Sequence, residues 1–108
     1  MNVQLVLCTC PDDAVAERIA RALVGERLAA CVNRLPGVRS VYAWQGALHD
    51  DAEVLLLIKT TRAAFPALRE RVLSLHPYEL PELVAVDVDG GHLPYLAWVE
   101  AGVGSPST

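Results

Sequence analysis

The chain has 108 residues, a length that fits one domain with a single core. It is 53% apolar, and 9 basic against 13 acidic residues give a formal net charge of −4. No basic patch stands out, which argues against nucleic-acid and anionic-membrane partners, and no apolar run approaches the roughly 20 residues of a membrane-spanning helix.

Val3 to Thr9 alternates in part and predicts a first strand, with Cys8 and Cys10 on one face. Pro11-Asp12-Asp13 opens a helix, because proline suits the first turn and acids suit the positive end of the helix dipole. Ala16, Ile19, Ala20 and Leu23 form its apolar stripe, and Gly25 falls near its end. Leu28 to Leu35 is a second apolar stretch, broken by Pro36-Gly37. Val38 to Trp44 then alternates as a strand. His49-Asp50-Asp51 reads as a polar turn, and Glu53 to Thr60 as the returning strand of a long hairpin. Its VLLLI run is apolar on both faces, as in a strand covered on both sides.

Thr60 or Thr61 caps a second helix in which Phe65, Leu68, Val72 and Leu75 recur at helical spacing. Pro66 lies in its first turns, and Pro77 ends it because the residue before a proline disfavours helical backbone. Leu83 to Val88 predicts a fourth strand, Gly90-Gly91 a turn, and Tyr95 to Val99 a short last helix. Residues 1–102 form a single domain on this reading, and 103–108 a flexible tail.

The order β-α-β-β-α-β is that of the ferredoxin-like split βαβ fold, an α+β class with an antiparallel sheet and both main helices on one face. A short C-terminal helix is added. The other sheet face stays open in a monomer, so the apolar excess predicts self-association. The N-terminus has no basic region before its apolar stretch, which is unlike a secretory signal. The 3 cysteines form no disulfide framework, and both features point to a reducing cytoplasm.

Four stretches together resemble the CutA family of divalent-cation tolerance proteins: LAACVNRLPGVRSVYAWQG (28–46), EVLLLIKTT (53–61), LHPYELPELV (75–84) and YLAWV (95–99). The strand-to-helix start LCTCPD (7–12) matches in kind, so the similarity runs from about residue 5 to 100. The resemblance implies a cytoplasmic homotrimer of ferredoxin-like protomers, associated with tolerance of copper and other divalent metals. It implies no catalysis, and it names no protein partner.

Strand one ends at the sheet edge where helix two stops, so Cys8 and His76 are predicted to approach one another. Thiolate and imidazole suit copper or zinc. The family's proposed copper(II) ligands map onto Cys8 and His76. Leu75 stands where some members carry a second histidine, which removes one nitrogen ligand. The competing reading makes Cys8 a small buried hydrophobe and His76 a helix C-cap. Cys10 is the nearest candidate for an extra sulfur, although it is expected to lie past the strand. Cys31 is expected at the opposite edge, roughly 20 Å away, as a core residue. The acidic run His49 to Glu53 reads as a solvated hairpin tip, and His92 has no ligand partner near it in sequence. Glu79 and Glu82 lie between prolines with no nucleophile or phosphate-loop motif, so no enzyme activity is expected. A further reading is a small-ligand sensor, by analogy with the trimeric PII signalling proteins. Tyr42, Trp44, Lys59, Tyr78 and Glu79 would then line a cleft between subunits.

Overall fold

A computed structural model describes residues 2–104. Seven elements follow in order: β1 (Val3–Cys10), α1 (Asp13–Gly25), β2 (Cys31–Trp44), β3 (Ala47–Thr61), α2 (Phe65–Leu75), β4 (Val84–Asp87) and α3 (Leu93–Gly102). The sheet order is β2-β3-β1-β4, with every neighbouring pair antiparallel. This is the ferredoxin-like arrangement that the element order predicts.

Helix α1 starts where the sequence places it. The Asp12 carboxylate accepts from the Val15 N–H at 2.9 Å, satisfying one of the free amides of the first turn. Its stripe of Ala16, Ile19, Ala20 and Leu23 is buried. Full burial of one Leu or Ile side chain contributes about 1.5–3 kcal/mol. The stripe meets Val6, Cys8 and Cys10 of β1, Val54, Leu56 and Ile58 of β3, and Leu68 and Val72 of α2. These strand residues all have even numbers, so one sheet face carries the core and both main helices.

The opposite face, with the odd-numbered residues of β1 and β3, is covered near Thr9 and Glu53 by residues 78–82 and, at the far corner, by α3. There α3 packs Leu96 and Val99 on Val3, with Val88 and Val103 beside them. The Gly104 N–H donates to the Arg27 carbonyl at 3.0 Å. Residues 105–108 of the expected tail lie outside the described residues. Across the rest of this face Leu35, Val84 and Val86 are exposed, and Leu5, Leu7, Leu55 and Leu57 are only half-buried.

Helix α2 has Ala64 and not Thr60 or Thr61 at its N-cap, β4 is shorter and α3 longer than the sequence reading, and three further differences shape the site. Pro36-Gly37 does not break the second apolar stretch; β2 runs straight through it as one 14-residue strand, with an irregularity in register between Leu35 and Val38. A bulge absorbs the proline because β2 is an edge strand, where a missing N–H need not interrupt the ladder. The hairpin turn lies at Gln45-Gly46, not at His49-Asp50-Asp51, and Trp44 pairs with Ala47. Gln45 (φ 51°) and Gly46 (φ 80°) both have positive φ, as a two-residue type I′ turn requires. His49 to Glu53 are therefore strand residues. Finally, β1 extends to Cys10, which pairs with Val54, so Cys10 belongs to the strand. Beyond Val38 and Glu53 the hairpin has no further strand beside it and projects as an arm from a molecule 47 Å long.

Candidate functional site

The end of β1 meets the end of α2. Pro77 stops the helix, and His76 takes extended backbone (φ −80°, ψ 134°), as a residue before proline prefers. Arg18 of α1 donates to the Leu75 carbonyl at 3.3 Å. The turn brings the His76 ring over β1. Its Nε2 lies 2.8 Å from the Thr9 carbonyl oxygen, and its Nδ1 accepts the Tyr78 N–H at 3.2 Å. Both contacts are met when the proton sits on Nε2, which therefore donates to Thr9.

Alternation along β1 sends Cys8 and Cys10 to the helix side, under His76. One ligand atom from each of Cys8, Cys10 and His76 lies within 4.8 Å of the others, and all three residues are buried. The Cys8 thiol donates to the Thr9 carbonyl at 3.9 Å, and the neighbouring Cys10 sulfur together with burial holds it well above the usual thiol range. Cys10, beside Cys8, is drawn below that range against its own burial. The two thiols therefore titrate as a pair. Two sulfurs and one nitrogen are a soft donor set that fits copper or zinc and leaves a fourth position open. A metal on His76 would replace one of its two present contacts.

The Thr9 side chain points to the opposite face. There it borders a cavity of about 720 Å³ between the hairpin arm and residues 78–82. Tyr42, Trp44, Tyr78 and Glu79 line it, as the sensor reading expects. Lys59 does not. Its ammonium donates to Asn33 Oδ1 and lies 3.8 Å from Cys31 Sγ, at the other end of the sheet. Cys31 pairs with Lys59 in register, five positions from the Cys10 partner Val54, and stands apart from the Cys8 cluster. The His92 carbonyl accepts the Tyr95 and Leu96 N–H groups at the start of α3, a structural part.

Glu53, read from the sequence as part of a solvated acidic tip, is instead buried. It is only 8% exposed and accepts the Tyr78 hydroxyl on Oε2 at 2.7 Å. Burial and this bond hold the Tyr78 phenol well above its usual range, so it stays a donor. The signal was parity: Glu53 shares a face with Leu55 and Leu57, not with solvent. Glu82 reaches the Thr9 hydroxyl at 3.5 Å.

A family model described as CutA1 divalent ion tolerance protein matches residues 4–102. The divalent-cation tolerance protein CutA of Thermus thermophilus is 54% identical over 94% of this chain and 98% of its own. Human protein CutA is 49% identical over 91% of this chain, which spans 55% of the human protein's length. Two solved structures share the fold. The PII-like protein CutA from Nostoc sp. PCC 7120 is 39% identical, with a TM-score of 0.87 over 94% of this chain and 97% of its own. The periplasmic divalent cation tolerance protein CutA from Archaeoglobus fulgidus is 31% identical, with a TM-score of 0.91 over 94% of this chain and 99% of its own.

Proposed function

The chain belongs to the CutA1 divalent ion tolerance family, and on that premise we propose that it is a non-catalytic metal-binding module that takes copper or another soft divalent ion. The observation that carries this reading is the convergence of Cys8, Cys10 and His76 within 4.8 Å. Cys8 and Cys10 supply two sulfurs, and His76 an imidazole that Thr9 and Tyr78 hold in place. With one ring nitrogen given to the metal, the contact left on the other would fix the ring, as the partners of metal-binding histidines do. Ligation by thiols releases protons, so affinity falls on acidification. Titration of the purified chain with copper(II) tests the reading. Cys8→Ala, Cys10→Ala and His76→Ala should each weaken binding by about tenfold or more, the range for loss of a ligand or its support. Unchanged affinity in all three overturns it.

The module is proposed to act as a homotrimer in the cytoplasm. The apolar odd-numbered face and the projecting arm support the trimer. Among the described residues no helix is long and apolar enough to cross a membrane. Cell fractionation tests the compartment, and the periplasmic description of the Archaeoglobus relative makes that test necessary.

A second reading has its own observation. The cavity between the arm and residues 78–82 has the 300–1,000 Å³ scale of small-molecule sites, about 720 Å³ here, and the Nostoc relative is described as PII-like. On this reading the protein senses an effector. A thermal-shift panel of nucleotides, small anions and small cations tests it, because a ligand of the folded state raises the unfolding temperature. No shift across the panel overturns it.

A further inference from the structure

We propose that the ion held by Cys8, Cys10 and His76 is copper(I); the inference rests on the metal-binding reading and names the oxidation state of its ligand. The deciding residue is Cys10. Cys8 and His76 alone offer one sulfur and one nitrogen. Alternation along β1 puts a second sulfur on the same face, so two of the three donors are sulfur. Thiolates are soft donors that select copper(I) and zinc over the harder cations.

Coordination number separates copper(I) from zinc. Among the described residues the one close grouping of possible ligands has three members, Cys8, Cys10 and His76. Structural zinc is almost always bound by four protein ligands, and a three-ligand zinc site completes itself with water. Here both thiols are fully buried in the core cluster, beside Val54, Leu56 and Val72, and His76 is buried too. Apolar surroundings of this kind stay dry. Copper(I) is a soft ion with a filled d shell, so it accepts few donors and needs no water.

Copper(II) fits less well, because it favours tetragonal sets of nitrogen and oxygen. The cluster offers one nitrogen. Glu53 and Glu82 stand near Cys8 but face the other way, towards the Tyr78 and Thr9 hydroxyls. The Thr9 carbonyl already accepts from His76 Nε2 at 2.8 Å. The sulfurs are held more loosely, since the Cys8 contact with the same carbonyl is 3.9 Å long. All three donors come from β1 and the end of α2 of one chain. They lie on the helix side of the sheet, away from the apolar face that would meet other copies.

The test is metal competition on the full, reduced chain under nitrogen. Copper(I) is delivered from its bicinchoninate complex, and zinc(II) is followed with a pyridylazoresorcinol indicator. Copper(I) should bind, should displace zinc(II) from the chain, and should not be displaced by it. X-ray absorption of the loaded chain should show copper(I) with sulfur and nitrogen neighbours and no oxygen. Cys10→Ser should weaken copper(I) binding by about tenfold or more. Cys31→Ser, which alters the one thiol outside the cluster, should leave it unchanged. Because Cys10 is buried, the absorption spectrum of the unaltered chain gives a readout that no folding defect can mimic. Zinc(II) held by the cluster against copper(I), or copper with oxygen neighbours, overturns the proposal and leaves the metal-binding reading intact. No binding of either ion by the cluster overturns both.

Discussion

At the scale of single residues, one turn of chain does two jobs. His76 closes α2 and leans on Thr9, and two positions later Tyr78 reaches across the sheet end to Glu53. Cys8 and His76 were legible in the sequence because topology puts a strand end beside a helix end, and alternation puts Cys10 with Cys8. The Tyr78–Glu53 contact was not legible, because it depends on hairpin register 25 residues away. The tyrosines offer a pH test. Each of the 3 is raised above the ordinary phenol value of 10.0: Tyr42 first by its bond to Asp51, Tyr78 and Tyr95 first by burial. A phenol whose folded value exceeds its unfolded value stabilises the fold below that unfolded value, and the contribution is lost as pH rises through the folded value. Ultraviolet titration of tyrosinate should therefore give midpoints above 10.0 for all three, with stability declining in the same window. Any midpoint at or below that value contradicts the assignment.

At the scale of elements, period located the helices and strands, a side-chain cap marked only α1, and turns were the weak point. Helix α1 was legible because its stripe, its Asp12 cap and its acidic start agree. His49-Asp50-Asp51 imitated a turn because the arm has no neighbouring strand, so polar residues are free to occupy strand positions there. The true turn has the quieter pair Gln45-Gly46. Gly46 (φ 80°) has nothing within 4 Å of where a Cβ would stand, so its requirement is conformational and not steric crowding. Gly46→Ala should destabilise by about 1 kcal/mol, the penalty for a side chain in left-handed backbone. Gln45→Asn, giving the favoured Asn-Gly pair, should stabilise modestly. Thermal unfolding at one fixed protomer concentration measures both, and an unchanged midpoint for Gly46→Ala would rule out the turn as described.

At the scale of the whole molecule, the two sheet faces differ in kind. The helix side is a closed core, while the odd-numbered side leaves Leu35, Val84 and Val86 exposed and half-covers Leu57. The double-sided apolar run of β3 foreshadowed this in the sequence, because such a strand needs cover on both faces. Its cover is the proposed trimer partner. Light scattering at micromolar concentration should give three times the chain mass of 11.7 kDa, and Leu57→Asp should return the protein to smaller species. A wild-type mass equal to one chain refutes the trimer.

The irregular stretch of β2 bears on how such an apolar chain stays dispersed. β2 and β4 are the two outer strands, and an outer strand presents unpaired amides and carbonyls to any passing chain. β4 spans only Val84 to Asp87, too short to template much, and β2 carries a bulge with Pro36, which has no amide to offer. Both lateral routes to fibre-like growth are thereby blunted. Self-association would then run through the broad faces, which close on a finite number of subunits, whereas strand-to-strand addition has no natural end.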